Sequence, residues 1–83
     1  MYTIVIDRYA QKQLEKIPPP HFNRIVKAIS QLADNPRPSG CKKLTARTGY
    51  RIRIGDYRVI YLIQDDILTI LVIDIGHRQG IYE

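Results

Sequence analysis

The feature that most constrains the fold is a two-residue turn near the middle of the chain. Gly55 and Asp56 lie between two runs of β-prone residues, one ending in Ile54 and the other beginning with Tyr57. A two-residue loop that begins with glycine is typical of a hairpin turn of type II′ or I′, which joins antiparallel strands tightly. We therefore expect an antiparallel hairpin whose register is set by this turn.

The hairpin register brings three arginines onto one face of the sheet. Closing the turn places Ile54 opposite Tyr57 and Arg53 opposite Arg58. It also leaves Arg51 diagonal to Arg58 on the same face. Opposed side chains in such a pair have Cβ atoms about 5 Å apart, where like charges repel each other. A cluster that lowers stability in this way favours an anion-binding role, and the alternative is that the arginines spread into water without a function.

Length and charge bound the possible functions. The chain has 83 residues, which leaves room for a modest core, and we expect residues 1–83 to form a single domain. The net charge of +5 favours an acidic partner such as RNA, DNA or an acidic protein segment. Cys41 is the single cysteine, which excludes an internal disulfide and indicates a reducing compartment. The single cysteine also excludes a cysteine-based zinc site, so we expect neither a metal nor a cofactor. No apolar run approaches the ~20 residues of a membrane span, so we expect a soluble, cytoplasmic protein.

Patterns on either side of the hairpin predict the other elements. Residues 2–6 form a β-prone run, and Asp7 is placed to cap a helix that reaches Ile17. A second amphipathic helix is predicted for residues 20–34, and a final strand completes a three-stranded meander after the hairpin. The predicted fold class is α+β, in the order β-α-α-β-β-β, with two helices packed on one face of an antiparallel sheet.

A second turn at Asp65-Asp66 places the last strand against the hairpin. It predicts that residues 57–64 pair with residues 67–74, which sets Ile73 opposite Arg58. In this register one sheet face is nearly apolar and should receive the two helices. That predicted core face comprises Tyr50, Ile52, Ile54, Tyr57, Val59, Tyr61, Ile63, Ile70 and Val72.

The arginine face also carries apolar residues, and the two predicted helices are already used on the other face. Ile60, Leu62 and Leu71 lie beside the arginines in this register, and an uncovered apolar patch indicates a protein partner. Local packing of Leu62 and Leu71 under the preceding basic loop is the alternative. That loop contributes candidate substrate-binding residues, namely Lys42, Lys43 and Arg47.

Together these residues resemble the RelE/ParE superfamily of toxins from bacterial and archaeal toxin-antitoxin systems, and the RelE branch in particular. The resemblance is carried by Lys43-Leu44, by the hairpin at residues 49–61, by Ile75-Gly76-His77-Arg78 and by Tyr82. It implies a small toxin that is neutralised by a cognate antitoxin in a hetero-oligomeric complex.

In the RelE branch the resemblance implies cleavage of messenger RNA in the ribosomal A site. The implied reaction is attack of a ribose 2′-hydroxyl on the adjacent phosphate, without a metal. Guanidinium groups suit this chemistry because their donors match phosphate oxygens in pairs and stabilise the charge that develops in the transition state. The positions that match the family's catalytic residues are Arg51, Arg53, Arg58, Arg78 and Tyr82.

The resemblance leaves the general base open. Family members often carry lysine where this chain has Arg51 or Arg53, and a guanidinium with a pKa above ~12 is a poor base at neutral pH. Imidazole has an unperturbed pKa of about 6.5, so His77 is the better candidate, with Asp56 in the turn as a second.

Two other functions stay open at the level of sequence. A ParE-like member of the superfamily would poison DNA gyrase by binding it. A module that has lost catalysis would bind only RNA or an antitoxin.

Overall fold

The computed structural model describes residues 1–77 of the chain. The predicted order of elements is confirmed, and a two-residue strand is added before the hairpin. The elements are β1 (Thr3–Ile6), α1 (Arg8–Glu15), α2 (His21–Gln31), β2 (Lys42–Lys43), β3 (Tyr50–Ile54), β4 (Tyr57–Gln64), a 3₁₀ turn (Asp65–Ile67) and β5 (Thr69–His77).

The sheet has five strands in the order β1-β5-β4-β3-β2, and it is mixed. The prediction of an antiparallel sheet holds for β2 to β5, but β1 pairs with β5 in parallel. The cause is the path of the chain. After β1 the two helices carry the chain to the opposite edge of the sheet, and the meander then returns strand by strand until β5 lies beside β1.

Both helices pack on the same face of the sheet, as predicted. The carboxylate of Asp7 accepts a hydrogen bond from the backbone N–H of Ala10 at 2.8 Å and so caps α1. The helices are shorter than predicted, because α1 ends before the proline run at residues 18–20 and the chain turns after Gln31. The buried core is Ala10, Leu14, Ile17, Ile25, Ile29, Leu32, Ile52, Val59, Tyr61, Ile70, Val72 and Ile75.

The hairpin between β3 and β4 has the predicted register. Ile54 pairs with Tyr57, and Arg53 pairs with Arg58. Gly55 has a φ of +60°, the left-handed region that glycine enters without a steric penalty, and this matches the first position of a type II′ turn.

The register between β4 and β5 is not the predicted one. The connecting loop has four residues, because the 3₁₀ turn is followed by Leu68 in a left-handed conformation, with a φ of +49°. A β-bulge at Ile60/Tyr61 then adds one further residue on β5. As a result Arg58 lies opposite Gly76 and not opposite Ile73. The bulge also places Ile75 in the core, where its side chain is 1% exposed.

Candidate active site at the arginine hairpin

Three arginines of β3 and β4 form a cluster, here called the arginine cluster, on the sheet face opposite the helices. Arg53 and Arg58 are directly opposed, and Arg51 lies two residues before Arg53 on the same face. Arg53 is exposed, Arg58 is half-buried, and Arg51 is only 7% exposed. The cluster thus extends from a solvent-facing guanidinium to a buried one.

The electrostatics of Arg51 reflect its position in the cluster. Burial lowers the pKa of this guanidinium, and repulsion from Arg58 and then from Arg53 lowers it further. A negatively charged group at this place would therefore relieve an unfavourable interaction. Guanidinium donors are suited to bind such a group when it is a phosphate, since two N–H groups can meet two oxygens.

The three basic residues predicted to bind substrate before β3 lie in different surroundings. Lys42 pairs with Arg51 across β2 and β3, so it adds a fourth cation to the row next to the cluster. Lys43 pairs with Tyr50 in the adjacent row, whose side chains point to the other face. Arg47 forms an ion pair with Asp74, with 3.6 Å between Nη2 and Oδ2. The strand that orders the two lysines was not predicted from the sequence.

The end of β5 brings His77 to the same end of the sheet, but in a row that faces the helices. His77 lies opposite Tyr57, and its exposed ring meets the Tyr57 ring edge-on, with 5.6 Å between centroids. The ring of His21, at the start of α2, lies 5.3 Å from Tyr57 on this side. The structure therefore does not place His77 on the face of the arginine cluster. Arg78 and Tyr82, the other two predicted site residues of this segment, lie outside the described residues.

The predicted apolar patch on the arginine face is smaller than expected. Ile60 is fully buried, because Leu44 of the loop after β2 packs over it, and the prediction that it is uncovered is wrong. Leu62 and Leu71 are half-buried and lie directly opposite each other. Val5 pairs with Leu71 from β1 and is 44% exposed. These three side chains, here called the aliphatic strip, cross three adjacent strands.

A polar network at the opposite end of the sheet was missed in the sequence. Arg37 donates to Asp65 at 3.1 Å and to the hydroxyl of Tyr50 at 3.4 Å, and its guanidinium lies over the Tyr50 ring. The hydroxyl of Tyr2 donates to the same carboxylate. The hydrogen bond from Tyr2, followed by that from Arg37, lowers the pKa of Asp65. These residues, here called the Arg37 network, are far apart in the sequence, so a local pattern could not reveal them.

Residues 1–77 contain neither a metal-binding cluster nor a membrane-spanning helix. Within this range the structure holds no group of three histidine, cysteine, aspartate or glutamate side chains that could bind a metal ion. The helices described there are also too short and too polar to cross a membrane.

Known proteins share this fold, which consists of a small sheet with two helices on one face and a basic hairpin on the other. The RelE–RelB complex from Pyrococcus horikoshii contains a chain that matches with a TM-score of 0.83 and 29% identity, over 93% of this chain and 94% of that one. The RelBE2 toxin-antitoxin complex of Mycobacterium tuberculosis matches with a TM-score of 0.80 and 30% identity, over 93% and 98% of the two chains.

The family follows from the sequence comparisons. The model of the ParE toxin family of type II toxin-antitoxin systems matches residues 4–82. The toxin RelG of Mycobacterium tuberculosis is 30% identical over 83 residues, which cover 98% of this chain and 95% of RelG. The toxin RelE1 of Methanocaldococcus jannaschii is 29% identical over 99% of this chain and 96% of its own length. The chain belongs to the ParE toxin family, within the RelE/ParE superfamily.

Proposed function

We propose that this protein is a ribosome-dependent endoribonuclease that cleaves messenger RNA in the A site and so inhibits translation. The observation that supports this most is the arginine cluster, in which one guanidinium is buried and two others oppose each other across a tight hairpin. Such a cluster is preorganised for a phosphate that gains charge during a reaction. The RelE names of similar toxins support the same activity.

The proposed reaction is an internal transfer at phosphorus. The ribose 2′-oxygen attacks the adjacent phosphate while its proton passes to a base, and the bond from phosphorus to the 5′-oxygen breaks. A proton then reaches the leaving 5′-oxygen, and the products are a 2′,3′-cyclic phosphate and a 5′-hydroxyl end. The nucleophile comes from the RNA, so the reaction as proposed uses no metal-bound water.

The arginines have distinct proposed roles in this reaction. Arg53 and Arg58 would hold the non-bridging oxygens from the two strands, and Arg51 would add positive charge from its buried position beside them. Lys42 continues the same row and would bind the RNA backbone together with Arg47, whereas the side chain of Lys43 points to the other face. Arg78 and Tyr82 keep the roles that the family resemblance implies, which are charge stabilisation and either base stacking or proton donation.

The proposed reaction needs a general base, for which His77 is the first candidate and Asp56 the second, and the row of His77 faces the helices. His77 is the last residue of β5, at the same end of the sheet as the hairpin turn. His77→Ala should lower the cleavage rate if the imidazole accepts the proton of the 2′-hydroxyl. An unchanged rate would reject this role and leave Asp56 as the next candidate.

Replacement of both opposed arginines tests the site directly. We expect the Arg53→Gln/Arg58→Gln variant to fold and to lose its toxicity to growing cells, because the change removes the phosphate contacts and also removes cross-strand repulsion. A matched control is the Arg8→Gln/Arg24→Gln variant, which removes two exposed arginines of the helices. A folded Arg53→Gln/Arg58→Gln protein that stays toxic would contradict the site assignment.

We also propose that a cognate antitoxin covers the sheet face that carries the arginine cluster. The aliphatic strip and the adjacent cations fit a helical segment with apolar and acidic side chains. This replaces the patch predicted from sequence, since Ile60 is buried and Val5 takes its place.

Val5→Asp and Leu71→Asp should weaken the toxin-antitoxin complex in a pull-down. Val26→Asp is the matched control, because Val26 is 37% exposed on α2, on the other side of the sheet. Equal weakening by the control would contradict the proposed surface.

One observation favours a second function. The matching family model is that of the ParE toxins, and a ParE-like protein would poison DNA gyrase by binding it. Gyrase-dependent breaks in plasmid DNA, together with intact messenger RNA, would support this function and reject cleavage of RNA.

A further inference from the structure

A glutamine of α1 contacts β5 directly after its bulge. The side-chain oxygen of Gln13 accepts a hydrogen bond from the backbone N–H of Ile75 at 2.8 Å. Its Nε2 donates to Oδ1 of Asp74, also at 2.8 Å. One amide group thus contacts Asp74 and Ile75, the two residues that follow Ile73, the inserted residue of the bulge.

The position of Gln13 follows from the shape of the sheet. β1 ends at Ile6, which pairs with Val72, so the later part of β5 extends past its neighbour. A backbone N–H in a partly buried position needs an acceptor, and at Ile75 the side-chain amide provides the one that a longer β1 would have offered. A bulge disrupts the ladder in addition, which increases the need for such a contact.

The contacts of Gln13 lead to two parts of the candidate active site. Gly76, the residue after Ile75, lies opposite Arg58. The second oxygen of Asp74 is 3.6 Å from Arg47 in the loop before β3. Gln13 therefore holds the carboxylate that orients Arg47, and it also holds the strand that passes Arg58.

We propose that Gln13 is a positioning residue for RNA cleavage, which it would support without contact to the substrate. This inference rests on the proposed function. Burial of Ile75 already fixes the register of β5, so the amide acts on the position of the strand end within that register. Displacement of a catalytic group by about 1 Å can lower a rate by about 100-fold, so a small loss of order at this point should be measurable.

Gln13→Leu tests the proposal against a matched variant of the same helix. Gln11 also donates from its side-chain amide to a strand, at 2.7 Å to the carbonyl of Ile6, so Gln11→Leu removes a comparable contact on β1. In a purified translation system we expect Gln13→Leu to lower the cleavage rate at saturating toxin by roughly 10-fold or more. The toxin concentration for half-maximal rate should change little, and Gln11→Leu should leave both quantities close to those of the wild type. Equal effects of the two variants would overturn the proposal.

A rescue variant separates positioning from general loss of stability. Gln13→Glu keeps the acceptor for Ile75 but places a carboxylate against Asp74, so it should cleave slowly. Combination with Asp74→Asn exchanges donor and acceptor and restores both hydrogen bonds of residue 13, and it leaves an amide oxygen in place of the carboxylate near Arg47. We expect the double variant to cleave faster than Gln13→Glu alone, and a rate at or below that of Gln13→Glu would overturn the proposal.

Hydrogen exchange provides a readout that does not depend on RNA cleavage. Loss of the Gln13 contact should accelerate exchange of the Ile75 amide by about 10-fold, the equivalent of one hydrogen bond, and Gln11→Leu should not. Unchanged exchange would reject the positioning role even if cleavage falls. Intact messenger RNA with the wild-type protein would instead reject the proposed function, and the exchange result would then decide alone whether Gln13 holds the strand.

Discussion

The two ends of the sheet place arginines in opposite electrostatic surroundings. In the Arg37 network, hydrogen bonds to Tyr50 and then to Asp65 raise the pKa of Arg37. At the hairpin, burial and then the neighbouring arginines lower the pKa of Arg51. The charged form of Arg37 is therefore stabilised by its surroundings, whereas the charged form of Arg51 is disfavoured by burial and by its arginine neighbours.

The difference suggests a division of roles. A paired, exposed arginine such as Arg37 links loops and strands, and its removal should affect only stability. Arginines gathered on one hairpin repel each other, and this arrangement is useful where an anion has to be bound tightly at one stage of a reaction. We therefore expect activity to depend on the hairpin end and folding to depend on the other end.

The largest expected effect is at Arg58. Arg58→Ala should lower the rate of message cleavage by about 10²–10³-fold, the range seen when one preorganised donor to a developing charge is removed. Arg58→Lys keeps the charge but loses the paired donors, so its rate should fall between those of the wild type and Arg58→Ala. Arg37→Ala is the control from the other end. Similar losses in Arg58→Ala and Arg37→Ala would break the comparison.

A stability effect without an activity effect is expected at Tyr61. Its hydroxyl donates to the carbonyl of Pro36 at 2.7 Å, and burial raises its pKa. Tyr61→Phe should lower the free energy of unfolding by about 1 kcal/mol, as measured by urea denaturation, because it removes one partly buried hydrogen bond. Cleavage at a temperature where the variant is folded should not change. Reduced cleavage by a fully folded Tyr61→Phe protein would show that the two ends are coupled.

Arg53 should show the opposite sign of stability change. Arg53→Gln removes one of two opposed charges, and we expect the free energy of unfolding to rise by about 0.2–1 kcal/mol. The gain should shrink as salt is added, because salt screens an exposed charge. Denaturation at low and high ionic strength measures both quantities. A loss of stability that does not depend on salt would show that charge repulsion is not the main influence of this pair on stability.

The smallest expected effect is a pH dependence at the Arg37 network. Hydrogen bonds from Tyr2 and then from Arg37 lower the pKa of Asp65 below its value in the unfolded chain. Asp65 therefore contributes stability above the unfolded pKa, and this contribution is lost as the pH falls through the folded pKa. Asp65→Asn should lower the melting temperature at neutral pH, and the two proteins should converge in acid. A difference that persists in acid would contradict the assignment.

The sequence predicted the parts of the fold that depend on local chemistry. The glycine at residue 55 identified the turn, and the turn set Arg53 opposite Arg58 as observed. Period-two and helical patterns identified the core face, since burial separates the two faces of a strand or helix. The arrangement of Arg51, Arg53 and Arg58 was predictable to the same extent, because these arginines lie on one local hairpin.

The remaining features depend on contacts that a local pattern does not contain. Leu68 adopts a left-handed conformation that residues other than glycine rarely enter, so the longer loop before β5 was not expected. The bulge, the cover of Ile60 by Leu44 and the amide of Gln13 over the end of β5 all depend on tertiary contacts. The Arg37 network joins residues 28 and 63 positions apart along the chain.

The most direct test of the proposed activity is 5′-end mapping of a defined messenger RNA in a purified translation system. We expect the wild-type protein to produce cuts within codons at the ribosomal A site, and we expect these cuts to require both ribosomes and Arg58. An intact message in the presence of folded protein, or identical cuts with Arg58→Ala, would contradict it.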